Sequence, residues 1–333
     1  MCCLPSNLAE FRESQYWDRF FLDRKGRPFE WYGDYKDFRE ALDALGFLKG
    51  APQAAGGPHS PQQGGPHVLH VGCGNSTLAK DLFDDGYTRI VNVDFSPVVI
   101  EEMKKTHSHL STIEWHCLDI RGRGLQKAFL KGPPSSGGPS GAPPFDLVFD
   151  KGFLDAYISI DHEDDHVEQG GPLGAPNKGT GAPTGAPNKG TGAPTEGPQE
   201  SSYDYRKAAE EYFEAVFDVL KEGGSFVLIS LAQDYILKEF VRFFLRRPVS
   251  IEIFCCPSKE EISRGAPFSR LQPFLFCIKK GAPKVEVEGE ENGDKTKTQV
   301  PICKLAGTAG SGPESFPLWE LTSFLVWTMC VSV

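Results

Sequence analysis

Two glycines stand where the chain changes from a buried strand to a helix. Gly72 and Gly74 follow the apolar run 67–71, and a segment with a Ser/Thr helix cap comes directly after them. Glycine permits a tight turn and a close approach of a ligand to the backbone, and a helix start adds N–H donors. The same pair also occurs in strand–helix turns without a ligand. It therefore indicates a binding site only when other residues support it.

Two aspartates supply that support. Asp94 ends the next apolar strand, 22 residues after Gly72, and Asp119 ends the third. A carboxylate at the first position can accept hydrogen bonds from both ribose hydroxyls, and one at the second can accept from an adenine amino group. Binding positions at the carboxyl ends of successive strands line one crevice in an open α/β sheet. The pattern predicts a cofactor that contains adenosine.

The spacing of the glycines separates two such cofactors. The dinucleotide fingerprint needs a third glycine at Gly-x-Gly-x-x-Gly, and Thr77 occupies that position. Asp119 is also better explained by S-adenosylmethionine than by NAD. We expect no metal, because the nine cysteines are irregularly spaced and contain no Cys-x-x-Cys pair. The predicted cofactor is therefore S-adenosyl-L-methionine.

A charged segment follows the fourth strand, where a methyl donor and its acceptor would meet. It contains Asp150, Lys151 and Asp155. Lys151 can contact the methionine part of the cofactor. Asp150 and Asp155 are the candidate catalytic residues, since a carboxylate can bind an incoming cation or accept its proton. For Asp155 a second interpretation stays open, a negative charge at a helix N-terminus that the helix dipole favours.

The elements that must position these residues alternate along the chain. Strands are predicted at 67–71, 89–93, 112–117, 145–149, 225–231, 251–255 and 273–278, and helices at 8–22, 34–46, 76–85, 97–106, 205–220 and 232–244. Gly223 and Gly224 are expected to end the helix at 205–220. Short apolar strands between helices predict a Rossmann-like α/β fold. We expect a seven-stranded, mostly parallel sheet with helices on both faces and an antiparallel last strand.

Glycine and proline are unevenly distributed. The chain has 36 glycines and 26 prolines in 333 residues, and more than half of them lie in three inserts. The last insert repeats GAPNKGTGAPT at 174–184 and 185–195, without an apolar face to bury. We therefore predict a helical, aromatic cap at 1–49, an insert at 50–66, a cofactor-binding core at 67–280 with disordered inserts at 130–144 and 167–202, and a low-complexity tail at 281–333. Within the tail, 281–315 is expected to be unstructured, and the apolar end 316–333 either packs on the domain or is disordered.

These residues give the chain a recognisable pattern. It resembles class I S-adenosylmethionine-dependent methyltransferases and, among them, the lysine methyltransferases that modify elongation factor 1-alpha. The matching motifs are Tyr16-Trp17-Asp18, Phe29-Glu30-Trp31, Gly72-Cys73-Gly74-Asn75-Ser76, Val93-Asp94-Phe95-Ser96, Leu118-Asp119-Ile120, Asp150-Lys151-Gly152 and Leu154-Asp155-Ala156. They span most of 14–280 outside the inserts.

The resemblance implies a set of cofactor-binding residues. They are Trp17, Phe21, Trp31, Gly72, Cys73, Gly74, Asn75, Asp94, Phe95, Asp119, Ile120 and Lys151. The aromatic members from the N-terminal segment would enclose the cofactor, although a purely hydrophobic cap on the sheet is the other interpretation. Two positions depart from the family. Phe21 lacks the hydroxyl of the tyrosine that relatives can have, and His70 replaces an acidic residue.

The function that the resemblance implies is S-adenosylmethionine-dependent N-methylation of a protein lysine (EC 2.1.1), on a translation elongation factor. We hypothesise that Asp150 and Asp155 dock the lysine, and that Tyr157 and Trp31 line its channel. A small-molecule N- or O-methyltransferase and a catalytically silent, methyltransferase-like binding scaffold remain alternatives.

Charge and hydropathy bound the partners and the compartment. The net charge of −10 argues against a broad nucleic-acid surface, because phosphate contacts need clustered Lys and Arg. Residues 1–12 have no apolar signal core, and the apolar stretch 316–333 is too short for a membrane span. We expect a cytoplasmic monomer whose partner is a protein with an accessible lysine.

Overall fold

The computed structural model describes residues 5–47, 65–130, 143–160, 203–256, 273–281, 285–291, 294–300, 302–305 and 314–317. Apart from a few residues at their ends, the inserts predicted at 50–66, 130–144 and 167–202 lie outside the described residues. Their disorder and the domain boundaries that they define stay predictions.

The helices and strands follow the predicted alternation. A 3-10 helix at Leu8–Arg12 precedes the α-helices α1 (Ser14–Arg24), α2 (Tyr35–Ala44), α3 (Leu78–Asp84), α4 (Pro97–Thr106), α5 (Gly124–Phe129), α6 (Phe153–Tyr157), α7 (Tyr205–Val219) and α8 (Asp234–Phe244). The strands are β1 (His67–Val71), β2 (Arg89–Asp94), β3 (Ile113–Cys117), β4 (Phe145–Lys151), β5 (Leu220–Ser230), β6 (Val249–Cys255), β7 (Phe274–Lys280), β8 (Val285–Glu291), β9 (Asp294–Val300), β10 (Ile302–Leu305) and β11 (Glu314–Pro317). Among the residues described, no helix is both long and apolar enough to cross a membrane.

The central sheet confirms the predicted fold class. Seven of its strands lie in the order β6-β7-β5-β4-β1-β2-β3. β1 pairs in parallel with β2 and β4, and β4 pairs in parallel with β5. β7 runs antiparallel to both β5 and β6. The order reverses beside β1, so the carboxyl ends of β1, β2 and β4 open on one crevice, which is where ligands bind in such sheets.

The C-terminal stretch differs from its prediction. We expected 281–315 to be unstructured, whereas strands β8, β9 and β10 and the start of β11 lie in it. β10 pairs in parallel with β6, and β11 pairs antiparallel with β10, which extends the sheet to nine strands. The physical reason is the unpaired edge of β6, whose free N–H and C=O groups a further strand satisfies. Cys303 of β10 is fully buried there opposite Ile251.

Helix ends show where local signals succeed and where they fail. Ser96 accepts a hydrogen bond from the Val99 N–H and Pro97 occupies the first turn, which explains why α4 begins where it was predicted. Its end at Thr106 also agrees with the prediction. The prediction that Gly223 and Gly224 end α7 is wrong. α7 ends at Val219, and both glycines lie inside β5, where its register against β4 shifts. A glycine pair serves an irregular strand as well as it serves a helix end.

The core lies on both faces of the sheet. One buried cluster joins α5, α6, α7 and α8 to the sheet through side chains such as Phe213 and Phe240. A second joins α2, α3 and α4 to the other face through Phe38 and Met103, and it includes Phe21 of α1. The N-terminal segment is therefore packed onto the sheet, beside the carboxyl ends of its parallel strands.

Candidate active site

A cleft opens at the carboxyl ends of β1, β2, β3 and β4, under the N-terminal segment. All twelve residues predicted to bind the cofactor line it: Trp17, Phe21, Trp31, Gly72, Cys73, Gly74, Asn75, Asp94, Phe95, Asp119, Ile120 and Lys151. Tyr157, predicted to line the acceptor channel, also lies in its wall. Asp150 and Asp155, predicted to be catalytic, do not. The structure thus brings the predicted cofactor residues together and separates the predicted catalytic pair from them.

The loop after β1 is shaped by its glycines. Gly72 and Gly74 have φ values of +55° and +50°, in the left-handed region that favours glycine. A Cβ atom on Gly72 would lie 2.7 Å from Cδ2 of Phe153, so a larger residue does not fit. Phe153 therefore packs directly on one side of Gly72, while Gly72, Cys73 and Gly74 line the cleft.

Asp94 is fixed by backbone donors on both sides. Its Oδ2 accepts from the Gly74 N–H at 2.9 Å, and its Oδ1 accepts from the Ser96 N–H at 2.9 Å. Burial raises the pKa of Asp94 to about 6, although these hydrogen bonds oppose the shift. Each carboxylate oxygen keeps a second lone pair for a ligand. The carboxylate is thus held ready to accept from two vicinal hydroxyls.

Asp119 is held by an arginine that the sequence prediction did not include. Arg121 donates from Nε to Oδ1 at 2.8 Å and from Nη2 to Oδ2 at 2.6 Å. Burial alone would raise the pKa of Asp119, but the hydrogen bonds and charge of Arg121 hold it below its usual value. Arg121 also donates to the Arg12 carbonyl at 2.8 Å and lies against the Phe95 ring. An adenine amino group at Asp119 would therefore share its acceptor with Arg121.

The N-terminal cap presents a cluster of rings to the cleft. Phe11, Trp17 and Trp31 have ring centroids within 6.0 Å of one another. Trp17 donates from Nε1 to the Phe11 carbonyl at 2.8 Å, so its ring is fixed. Trp31 packs so closely over Gly152 that a Cβ atom there would collide with the indole. These flat apolar faces suit an adenine ring or a desolvated cation.

Lys151 lies in the cleft wall, but its ammonium group is used by the protein. Nζ lies 2.6 Å from Glu30 Oε2 and donates to the Trp31 carbonyl at 2.9 Å. Burial lowers the pKa of Lys151, and the charge of Glu30 opposes that shift. Glu30 in turn accepts from Ser76 Oγ at 2.7 Å and from the Thr77 N–H at 2.6 Å. This buried ion pair fastens the cap to the glycine loop.

Asp150 is surrounded by donors within the protein. Tyr212 donates its hydroxyl to Oδ2 at 2.6 Å, and the N–H groups of Phe153 and Leu154 donate to the same carboxylate at 2.8 and 3.1 Å. The side chain is fully buried, and burial raises its pKa to about 7. These surroundings leave Asp150 no open side for an acceptor. This environment does not match the predicted docking role of Asp150. Its carboxylate instead accepts from the first turn of α6.

Asp155 has a different environment. Its Oδ1 accepts from the Tyr32 hydroxyl at 3.0 Å, from the Ser230 hydroxyl at 3.0 Å and from the Leu231 N–H at 3.1 Å. Its Oδ2 is buried and has no hydrogen-bond partner among the described residues. Burial raises the pKa of Asp155 to about 6. Oδ1 therefore accepts from three donors, whereas Oδ2 accepts from none among the described residues.

Several residues of the site were not predicted from the sequence, namely Phe11, Arg12 and Arg121, which line the cleft, and Glu30 and Tyr32, which bind Lys151 and Asp155. Glu30 stands inside the Phe29-Glu30-Trp31 motif, Tyr32 follows that motif, and Arg121 follows Asp119-Ile120, so proximity to a motif was a usable signal for three of them. His70 is buried against Asn92, with its pKa lowered to about 4 by burial, so it is a neutral core residue. Among the described residues, no group of His, Cys, Asp and Glu could hold a metal ion.

Comparisons with known proteins identify what this cleft resembles. The chain is 28% identical over 288 residues to the mouse eEF1A lysine and N-terminal methyltransferase, covering 85% of this chain and 31% of that protein. The human protein of that name is 29% identical over 291 residues, with the same coverage. The chain resembles eEF1A methyltransferases. The resemblance inferred from the motifs is thus confirmed.

A second group of eEF1A-methyltransferase relatives matches a shorter part. Mouse EEF1A lysine methyltransferase 4 is 32% identical over 157 residues, covering 47% of this chain and 49% of that protein. No family model matches the chain. This chain spans about a third of the length of the first relatives, and about half of the second. The similarity therefore covers one portion of each relative.

Proposed function

We propose that this protein is an S-adenosylmethionine-dependent protein-lysine N-methyltransferase and that its substrate is the elongation factor eEF1A. The observation that carries the proposal is the cleft, where twelve residues predicted from sequence meet at the carboxyl ends of four strands. The names of the relatives, which are eEF1A methyltransferases, supply the substrate class. The cleft contains carboxylates that can accept from the ribose hydroxyls and the adenine amino group, and aromatic rings that can enclose the cofactor. Its residues therefore fit S-adenosylmethionine.

Each part of the cleft has its own task in this proposal. Bound S-adenosylmethionine would supply a methyl group made reactive by its sulfonium charge. Asp94 binds the ribose hydroxyls, Asp119 with Ile120 binds adenine, and the Gly72 turn contacts the amino-acid part. Trp17 and Trp31 exclude water. Binding of this kind lowers the barrier by holding the reacting atoms in line and out of solvent.

The lysine acceptor must lose a proton before it can attack. Its ordinary pKa of ~10.4 makes deprotonation at pH 7 cost roughly 4.6 kcal/mol. A neighbouring carboxylate attracts the ammonium form and does not lower that pKa, whereas desolvation between rings does. The aromatic wall of Trp31 and Tyr157 provides that desolvation, and the proton leaves to water.

Methylation of purified eEF1A tests the proposal. The recombinant chain is incubated with S-adenosylmethionine and eEF1A, and peptide mass spectrometry locates the methyl groups. We expect methyl on a lysine with the wild type and none with Asp94→Ala. Methyl on the N-terminal amine instead would assign the other activity in the relatives' name. Methyl transfer only to small molecules of a cell extract would support the small-molecule methyltransferase. Cofactor binding without any transfer would support the binding scaffold.

The remaining parts of the proposal concern the setting of the reaction. We place the protein in the cytoplasm as a monomer that binds no nucleic acid. In support, the chain carries a net charge of −10, and all six cysteines of the described residues are free thiols. Reduced thiols fit a reducing compartment. Light scattering and cell fractionation test the oligomeric state and the location.

A further inference from the structure

Two buried polar atoms without hydrogen-bond partners among the described residues belong to segments that contact each other beside the cleft. They are Asp155 Oδ2 and Trp31 Nε1, for which the described residues offer no hydrogen bond. Trp31 packs on Gly152 and precedes Tyr32, which donates to Asp155. An unpaired buried polar group is costly, so such a pair needs an explanation.

The donors around Asp155 come from separate parts of the fold. Tyr32 belongs to the N-terminal cap, Ser230 ends β5, and Leu231 follows it. All three donate to Oδ1 and leave Oδ2 open. An internal structural carboxylate is better served when donors reach both oxygens, as they do at Asp150. The three donors therefore fix the orientation of Asp155 through Oδ1. Oδ2 is left for a donor that belongs to a ligand.

Backbone strain lies at the same place. Among the described residues, only three that are not glycine have a positive φ, and two of them are Tyr32 at +67° and Ala232 at +54°. Tyr32 holds Asp155 directly, and the Ala232 N–H donates to Ser230 Oγ at 2.9 Å. Such conformations cost free energy and cluster at binding and catalytic sites. Strain on two sides of one half-satisfied carboxylate points to a ligand site.

We propose that Asp155 binds the amino group of the acceptor lysine through Oδ2, with Tyr32 and Ser230 as positioning residues and the Trp31 ring as the adjoining wall. This inference rests on the proposed function and names the acceptor subsite within it. An ammonium group has three donors and no acceptor, which suits a bare carboxylate oxygen. Its charge is also attracted by an aromatic face.

The position agrees with the direction of transfer. Asp155 lies on α6 next to Ala156, which lines the cleft, so a bound amine stands beside the cofactor-binding space. Tyr32, which donates to Asp155, is partly exposed, so we expect the substrate to approach past it. Asp155 thus binds and aligns the amine, and desolvation by Trp31 favours its neutral, reactive form.

Asp155→Asn is the first test, because the amide keeps an oxygen for the three donors and replaces only Oδ2. Methyl transfer is measured with radiolabelled S-adenosylmethionine and purified eEF1A, or a protein lysate, and cofactor affinity is measured separately by tryptophan fluorescence. We expect kcat/KM for the protein substrate to fall about 10- to 100-fold, as for loss of a hydrogen bond to a charged group. We expect the cofactor Kd to stay within about twofold of wild type, because Asp155 does not line the cleft that contains the predicted cofactor-binding residues.

Other results would overturn the subsite. Unchanged transfer by Asp155→Asn contradicts it, and so does a cofactor Kd that weakens in parallel with activity, since that outcome marks a structural role. A wild type that labels no protein at all overturns the proposed function and this inference together. Asp84→Asn, which changes an exposed carboxylate paired with Lys80, is the matched control and keeps full activity.

Two milder variants decide the matter if Asp155→Asn does not fold. Tyr32→Phe and Ser230→Ala each remove one donor to Oδ1 and leave the carboxylate in place. We expect each to lower kcat/KM for the protein about 3- to 10-fold, the range of one neutral hydrogen bond, without changing the cofactor Kd. Wild-type kcat/KM in both variants would contradict the proposal.

Discussion

The two walls of the cleft are built in different ways. The cofactor wall consists of the carboxyl ends of β1, β2 and β3, and its carboxylates are held by neighbours in the chain. Asp94 accepts from the N–H of Ser96, and Asp119 accepts from Arg121, in each case two positions away. Asp94 also accepts from the N–H of Gly74 in the preceding glycine motif. Short motifs therefore supply both the carboxylates and the groups that orient them.

The acceptor wall consists of the end of β4 and α6, and its two carboxylates stand behind the surface of the cleft. Each accepts from a distant side chain, although Asp150 also accepts from the nearby N–H groups of Phe153 and Leu154. Tyr212 lies 62 positions from Asp150, and Tyr32 lies 123 positions from Asp155. The side chains that orient Asp150 and Asp155 are therefore brought to them only by the fold. Changes there, or in the ion pair at its border, should lower stability or acceptor binding, whereas loss of a carboxylate on the cofactor wall should mainly lower cofactor affinity.

The largest expected effect is at the border of the acceptor wall. Lys151→Met leaves Glu30 as an uncompensated buried charge, so we expect the free energy of unfolding to fall by about 3–5 kcal/mol. Urea unfolding measures it, and Glu30→Gln with the double variant completes a cycle that isolates the pair. Lys80→Met, in an exposed pair with Asp84, is the control and should cost less than about 0.5 kcal/mol. A Lys151→Met variant as stable as that control would show that the cap is fastened by something else.

A smaller effect, and on a different quantity, is expected on the cofactor wall. Asp94→Ala removes the carboxylate assigned to the ribose hydroxyls, so the Kd for S-adenosylmethionine should rise about 100-fold, the value of two hydrogen bonds to a charged group. Isothermal titration measures the Kd, with Asp84→Asn as the matched carboxylate control. If Asp94→Ala changed unfolding more than binding, the contrast between the walls would fail.

The sequence predicted most of the fold because its signals are local. Apolar strands, a Ser-Pro helix start and glycine turns place the seven strands and α4, since each depends on a few adjacent residues. The tail strands were missed because β10 is stabilised by the free edge of β6, which no property of 302–305 reveals. The Gly223-Gly224 pair was assigned to a helix end because a strand irregularity has the same local signature.

The site divides in the same way. The residues of the cofactor wall were named from their motifs and lie together in one cleft, while their contact with a cofactor stays a prediction. Asp150 and Asp155 have the same residue type and lie in one segment, so sequence could not separate them. Only the fold shows that Tyr212 and two backbone donors surround the first, while the second keeps one oxygen open.

A glycine substitution tests whether the cofactor wall depends on backbone shape. Gly72→Ala places a methyl group in the left-handed region and against Phe153, and we expect about 2 kcal/mol of lost stability. Gly26→Ala has a similar φ of +76° with open space around it, so it reports the conformational strain alone, about 1 kcal/mol. Urea unfolding compares the two variants. Equal losses would show that contact with Phe153 is unimportant.

The smallest expected effect is a pH dependence of cofactor binding. Burial raises the pKa of Asp94 to about 6, so the carboxylate is mostly ionised at pH 7 and mostly protonated at pH 5. If only the ionised form accepts from ribose, affinity falls about tenfold over that interval. The sign for stability is opposite. The folded pKa lies above the unfolded value, so the contribution of Asp94 to stability of the free protein increases as pH falls through 6.

Calorimetric titration at several pH values follows the affinity, and thermal unfolding without cofactor follows the stability. Asp94→Asn removes the titration, so its weaker affinity should not change between pH 7 and pH 5. Asp150 and Asp155 also have raised pKa values, about 7 and about 6, but neither side chain lines the cleft. An Asp94→Asn variant that kept the wild-type pH dependence would move the controlling proton to those two residues, and the independence of the two walls would be lost.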